Sequence, residues 1–64
     1  MADIKQAAKW MQEGHTVRRK QYADKWWAYP WEPYRIGYDV CCADGGDHLL
    51  DVFDLQADDW EIAE

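Results

Sequence analysis

The chain has 64 residues and a formal net charge of −6, which allows one domain and argues against generic binding to nucleic-acid backbones, since that affinity rests on Lys and Arg. Its longest apolar run falls far short of the ~20 residues that a membrane-spanning helix needs. A domain of this size buries only ~60% of its unfolded surface, so a staple or self-association is expected.

The composition narrows the choice of staple. The only cysteines, Cys41 and Cys42, are adjacent. Neighbours on a strand point to opposite faces, which makes a bridge between them geometrically poor. Two unpaired cysteines after the polar start Met1-Ala2-Asp3 fit a reducing cytosol. His15 and His48 lie far apart, and no Cys-x-x-Cys or His-x-x-x-His spacing is present, so neither a metal nor any other cofactor is expected. Aromatic density remains, with five Trp, four Tyr and one Phe. A core this small cannot easily hide five indoles, and aromatic side chains dominate interfaces and pockets as well as cores. The expectation is a homo-oligomer, most simply a two-fold dimer.

In chain order, residues 3–13 read as a helix. Asp3 is a favourable N-cap with Gln6 three residues on, Ile4, Ala7, Ala8 and Met11 form an apolar stripe, and Gly14 stands where a helix commonly ends. Residues 16–20 read as a first strand, with Val17 and Arg19 on one face and Thr16, Arg18 and Lys20 on the other. After a polar turn over 21–25, Trp26-Trp27-Ala28-Tyr29 reads as a second strand. Pro30 and Pro33 are expected to break the ladder. Residues 34–42 alternate, placing Tyr34, Ile36, Tyr38, Val40 and Cys42 on one face, and read as the clearest strand. Asp44-Gly45-Gly46 suggests a hairpin turn, with 48–53 returning as the antiparallel partner. Residues 54–59 form a turn or single helical turn, and Trp60-Glu61-Ile62 a last short strand. The fold class is α+β: one N-terminal helix packed on a small antiparallel sheet.

Few residues suggest catalysis. There is no serine, and Thr16 is the sole threonine. A pair of Cys41 or Cys42 with His48 lacks an orienting context and reads more simply as a small buried hydrophobe beside a strand histidine. The many aspartates read as a solvated surface. The expectation is a binding protein rather than an enzyme. Arg18-Arg19-Lys20 is the one dense positive cluster on an acidic chain. Guanidinium forks suit phosphate, and Tyr22, Trp26 and Trp27 follow closely enough to stack a base. Pairing of these cations with surface carboxylates is the competing reading. Trp60, beside Asp59, is a further candidate, with a core or interface position as its alternative.

Several segments together form a pattern: Ala7-Ala8 through Met11 and Gly14, Val17-Arg18-Arg19, Trp26-Trp27-Ala28-Tyr29, and the tail Leu55-Gln56-Ala57-Asp58-Asp59-Trp60-Glu61-Ile62. In these the chain resembles a family of small phage and prophage domains that includes Thoeris anti-defence sponge proteins. The tail is the most specific part, and about half the chain carries the likeness. Tyr22 stands where the family's strand usually ends in tryptophan. The resemblance implies a helix-plus-sheet subunit assembled into dimers or tetramers, acting in the cytoplasm of an infected bacterial host. It implies capture of a cyclic nucleotide immune signal, a cyclic ADP-ribose isomer or a cyclic oligonucleotide, without cleavage. Arg18, Arg19, Tyr22, Trp26, Trp27, Asp59 and Trp60 are the expected ligand-binding residues, placed at a subunit interface. The alternative expectation, drawn from the charge, is an acidic phage protein that binds and inhibits a host protein by imitating the charge of DNA.

Overall fold

The computed structural model describes residues 2–63. Helix α1 spans Ile4–Gln12, and the Asp3 side chain caps it by accepting from the Gln6 N–H at 3.0 Å. Gly14 follows with φ +98°, the left-handed conformation that ends many helices and that glycine adopts without a Cβ penalty. Strand β1 is Val17–Arg19, shorter than the 16–20 expectation because Lys20–Tyr22 turns into a single 3-10 turn. Strand β2 is Trp26–Pro30, β3 is Tyr38–Cys42, helix α2 is Val52–Gln56 and β4 is Trp60–Ile62. The sheet is antiparallel throughout, in the order β3-β2-β1-β4. The α+β class is therefore as expected, with a second short helix added.

Three expectations need correction. Pro30 does not break the ladder; it is the buried last residue of β2 and lies opposite Tyr38. The N–H groups of residues 25, 27, 29 and 31 share one side, where Trp31 donates to the Gly37 carbonyl at 2.9 Å. The nitrogen of Pro30 therefore faces β1, beyond the one registered β1–β2 pair, Val17 with Ala28. No ladder donor is lost.

The long strand 34–42 is halved. Trp31 and Gly37 close the β2–β3 hairpin, so residues 32–36 are consumed in reversing the chain. Arg35 has φ +56°, and Tyr34 and Ile36 are 76% and 86% exposed. Their alternation therefore marks no buried face. The partner of β3 is β2 rather than 48–53: Gly45 turns the chain at φ +80°, 46–51 is irregular, and Val52 begins α2. The sequence Asp51-x-x-Asp54 forms a reciprocal capping box, each carboxylate accepting from the other's N–H at 2.9 and 3.1 Å. That local satisfaction outcompetes a strand.

Both helices lie on one face of the sheet. Ala7 and Met11 of α1 pack with Val17, Trp26, Ala28 and Trp60, and Ile4, Trp10, Val40 and Leu50 close around them. Only two of the five indoles, Trp26 and Trp60, are buried; Trp10 and Trp27 are half-buried and Trp31 is exposed.

Candidate ligand-binding site

Alternation along the strands divides five of the seven candidate residues between two faces. Arg19, Trp26 and Trp60 project to the helix-covered face. Arg18 and Trp27 project to the other. Val17 opposite Ala28 sets Arg18 beside Trp27, while Trp27 pairs with Cys41 and Arg18 with Glu61. The open face thus carries a row Cys41–Trp27–Arg18–Glu61, with Tyr29 and Asp39 in the next row.

The covered face holds an ion network that the chain's order does not announce. Arg19 is buried, as is Asp54, and the Arg19 Nη1 donates to Asp54 Oδ1 at 2.6 Å. The Arg19 Nε donates to Asp59 Oδ1 in a very short contact. Asp59 also accepts from the Gln21 N–H at 3.1 Å, which fixes the 3-10 turn onto the end of β4. Asp54 makes a 3.2 Å contact with His48 Nε2, and its backbone carbonyl accepts from Trp60 Nε1 at 3.1 Å. His48 stacks on Trp26 at 4.4 Å between centroids, and Trp26 meets Trp60 edge to face at 5.7 Å. Tyr22 closes the cluster, its ring 5.4 Å from the Arg19 guanidinium and 6.4 Å from Trp26.

The electrostatics are those of a mutually satisfied network. Burial opposes the charge on Arg19, but hydrogen bonds and charge from Asp59 and Asp54 outweigh it and hold the guanidinium pKa above its usual value. Burial likewise works against ionised Asp54 and Asp59. Asp54 is nevertheless held below the usual carboxylate range by the Asp51 N–H, Arg19 and His48. Asp59 is held down by Arg19 and the Gln21 N–H. Five of the expected ligand residues, Arg19, Tyr22, Trp26, Asp59 and Trp60, are thus brought together, but they are spent on one another.

His48 and Asp54 were missed in sequence as members of this cluster. The signal that could have found Asp54 is the Asp51-x-x-Asp54 cap, which predicts a helix start and an inward second carboxylate. No comparable local signal marks His48.

Arg18 differs from its neighbour. Among the described residues its ion pair is with Glu61 at 3.2 Å, which leaves both side chains about one-third exposed. Such a pair contributes only ~0–1 kcal/mol. Its Nε is buried without a hydrogen-bond partner, an unmet donor of the kind folded proteins rarely leave. Tyr29, in the adjacent row beyond Trp27, is 39% exposed. Trp31 continues the same alternation and is held across Gly37, where a Cβ would come within 2.3 Å of the indole. The open face therefore offers a weakly tethered arginine beside aromatic rings.

Among the described residues no group of three or more His, Cys, Asp or Glu is arranged to hold a metal ion. Cys42 and His48 border the same depression, yet no hydrogen bond joins them. Burial, then the charges of Asp44, Cys41 and Asp47, pushes the Cys42 thiol up, the reverse of thiolate activation. Among the described residues no helix is long and apolar enough to cross a membrane. Neither a family model nor a curated protein matches the chain.

Proposed function

We propose that the protein is a nucleotide sponge: it captures a cyclic ADP-ribose isomer or a cyclic oligonucleotide and holds it without cleavage, keeping an immune signal from its effector in an infected bacterial cell. The observation that carries this reading is the division of labour between adjacent arginines. Arg19 is locked between two carboxylates, whereas Arg18 is held by one partly exposed pair and lies beside Trp27 on the open face. Arg18 is the phosphate contact, and Trp27 with Tyr29 supplies stacking faces for a base, each worth ~1–3 kcal/mol. The buried Arg19–Asp54–Asp59 network ties β1, and with it Arg18, to α2 and to the start of β4. The resemblance noted in the helix, the arginine strand and the Ala57-Asp58-Asp59-Trp60-Glu61-Ile62 tail supports the same reading.

Calorimetric titration with a panel of cyclic nucleotides tests it. At least one member should bind, and Arg18→Ala and Trp27→Ala should each weaken that binding about tenfold or more while the circular dichroism stays that of the wild type. Binding that ignores both substitutions would move the site off the open face. A panel that never binds more tightly than high micromolar would remove the sponge reading itself.

A further inference from the structure

Helix α2 is inverted. Over its five residues, at about 100° per residue, Val52, Phe53 and Leu55 share one arc with Gln56, and Asp54 takes the opposite side. A helix on a protein surface ordinarily buries its apolar arc. Here Asp54 is 2% exposed, while Val52, Phe53 and Leu55 are between 52% and 78% exposed. Leu49, just before the helix, is 86% exposed. The inversion has a local cause: Arg19 and the Asp51 N–H draw the Asp54 carboxylate inward, and the hydrophobic residues are turned out as a consequence.

Next to this ridge lies a groove between α1 and the β2–β3 connection, bordered also by Leu55. Its floor is apolar, with Ile4 and Ala8 from α1 facing Ile36 and Tyr38. Its rim carries more cations than acids: Lys5 and Lys9 stand one turn apart on α1 and Arg35, paired with Glu32 at 3.4 Å, projects from the connection, against Asp3 at the helix start. Three of the chain's seven cations thus border one groove on a protein with a net charge of −6. The α2 ridge is flanked by acids instead, with Asp51 at its N-cap and the exposed Asp58 shortly after its end.

We infer that the α2 ridge of one copy seats in the α1 groove of a second copy, and reciprocally, in a two-fold dimer. An apolar ridge with acidic flanks and an apolar groove with a basic rim are complementary in both shape and charge. Because Leu55 belongs to both, a single two-fold axis joins two ridge–groove pairs without leaving an open end. Leu49, Val52, Phe53 and Leu55 are each more than half exposed and supply the apolar ridge, and Ile36, 86% exposed, supplies the groove floor that receives it. The dimer uses the edge formed by both helices and leaves the open sheet face with Arg18 and Trp27 accessible. The inference does not rest on the nucleotide reading, because its test needs no ligand.

Sedimentation velocity on the ligand-free full chain, from low to high micromolar concentration, is the experiment. The wild type should sediment as a dimer. Phe53→Asp changes a solvent-exposed side chain, so its circular dichroism and melting should stay close to wild type while its dimer dissociation constant rises on the order of 30-fold or more, the effect expected of an aromatic interface anchor. Lys9→Glu, on the rim, should weaken the dimer in the same direction, and Tyr29→Asp on the open sheet face should leave it intact. A wild type that is monomeric at high micromolar concentration overturns the inference. So does a folded Phe53→Asp protein that remains a dimer, or a dimer lost in Tyr29→Asp and kept in Phe53→Asp.

Discussion

Replacing Asp54 by alanine should unfold much of this protein's margin of stability. The carboxylate is buried, pairs with Arg19 at 2.6 Å, accepts from the Asp51 N–H at 3.1 Å and contacts His48 at 3.2 Å. Removing one member of a buried pair typically costs ~3–5 kcal/mol, because the other charge stays buried. Asp59 still holds the Arg19 Nε, which places the pair loss near the lower end, and the broken capping box adds up to ~1 kcal/mol. The sum is ~3–4 kcal/mol, against a total of ~3–10 kcal/mol for a domain of this length at 0.05–0.15 kcal/mol per residue. At ~4–8 °C per kcal/mol, the melting temperature should fall by ~12–30 °C. Calorimetry would measure the melting temperature, and urea unfolding followed by tryptophan emission, with Trp26 and Trp60 reporting on the core, would measure the free energy. The double replacement Arg19→Met with Asp54→Leu removes both charges and should recover most of the loss. A cost for Asp54→Ala below ~1 kcal/mol, or a double variant less stable than Asp54→Ala, would refute the argument that a buried charge network organises this core.

Two further outcomes follow from the same geometry. Asp54 and Asp59 titrate lower in the folded protein than their usual values, so their stabilisation is complete above the unfolded carboxylate pKa of ~4 and is lost as pH falls through their folded values. Acid titration of stability should therefore steepen below about pH 4, and Asp59→Asn should reduce that slope by about one proton, ~1.4 kcal/mol per pH unit; an unchanged slope would show that Asp59 does not carry the linkage. Gly14→Ala places a Cβ at φ +98° and 3.1 Å from the Arg35 guanidinium carbon, and should cost about 1 kcal/mol in a urea melt, whereas a neutral or stabilising result would mean that the helix end relaxes.

The parts of the fold legible in sequence were those with a strong local signal. Asp3 and Gly14 bracketed α1 to within a residue or so, and alternation placed Val17 and Arg19 on one face, which the structure buries. The 34–42 region misled because Tyr34 and Ile36 copy a strand's period while serving a chain reversal, and alternation alone cannot report whether a partner strand exists. Residues 48–53 misled for a related reason: the Asp44-Gly45-Gly46 turn suggested a returning antiparallel strand, but the Asp51–Asp54 box starts a helix that turns Val52 and Phe53 outward. For the site, the cluster Arg18-Arg19 with Tyr22, Trp26 and Trp27 was visible as chemistry, and its division between faces follows from the period of two. What the linear order did not disclose is that Arg19 is saturated across 35 and 40 residues of sequence by Asp54 and Asp59. Long-range pairing of that kind is set by the strand order β3-β2-β1-β4, which brings β4 against β1.

The proposed sponge function requires that the chain hold a nucleotide without altering it. Native mass spectrometry of the protein mixed with equimolar cyclic nucleotides and cyclic ADP-ribose isomers tests that most directly. A sponge gives a protein species that gains the mass of one panel member and releases it intact on denaturation. A species that gains nothing, or that returns a cleaved product, would contradict it.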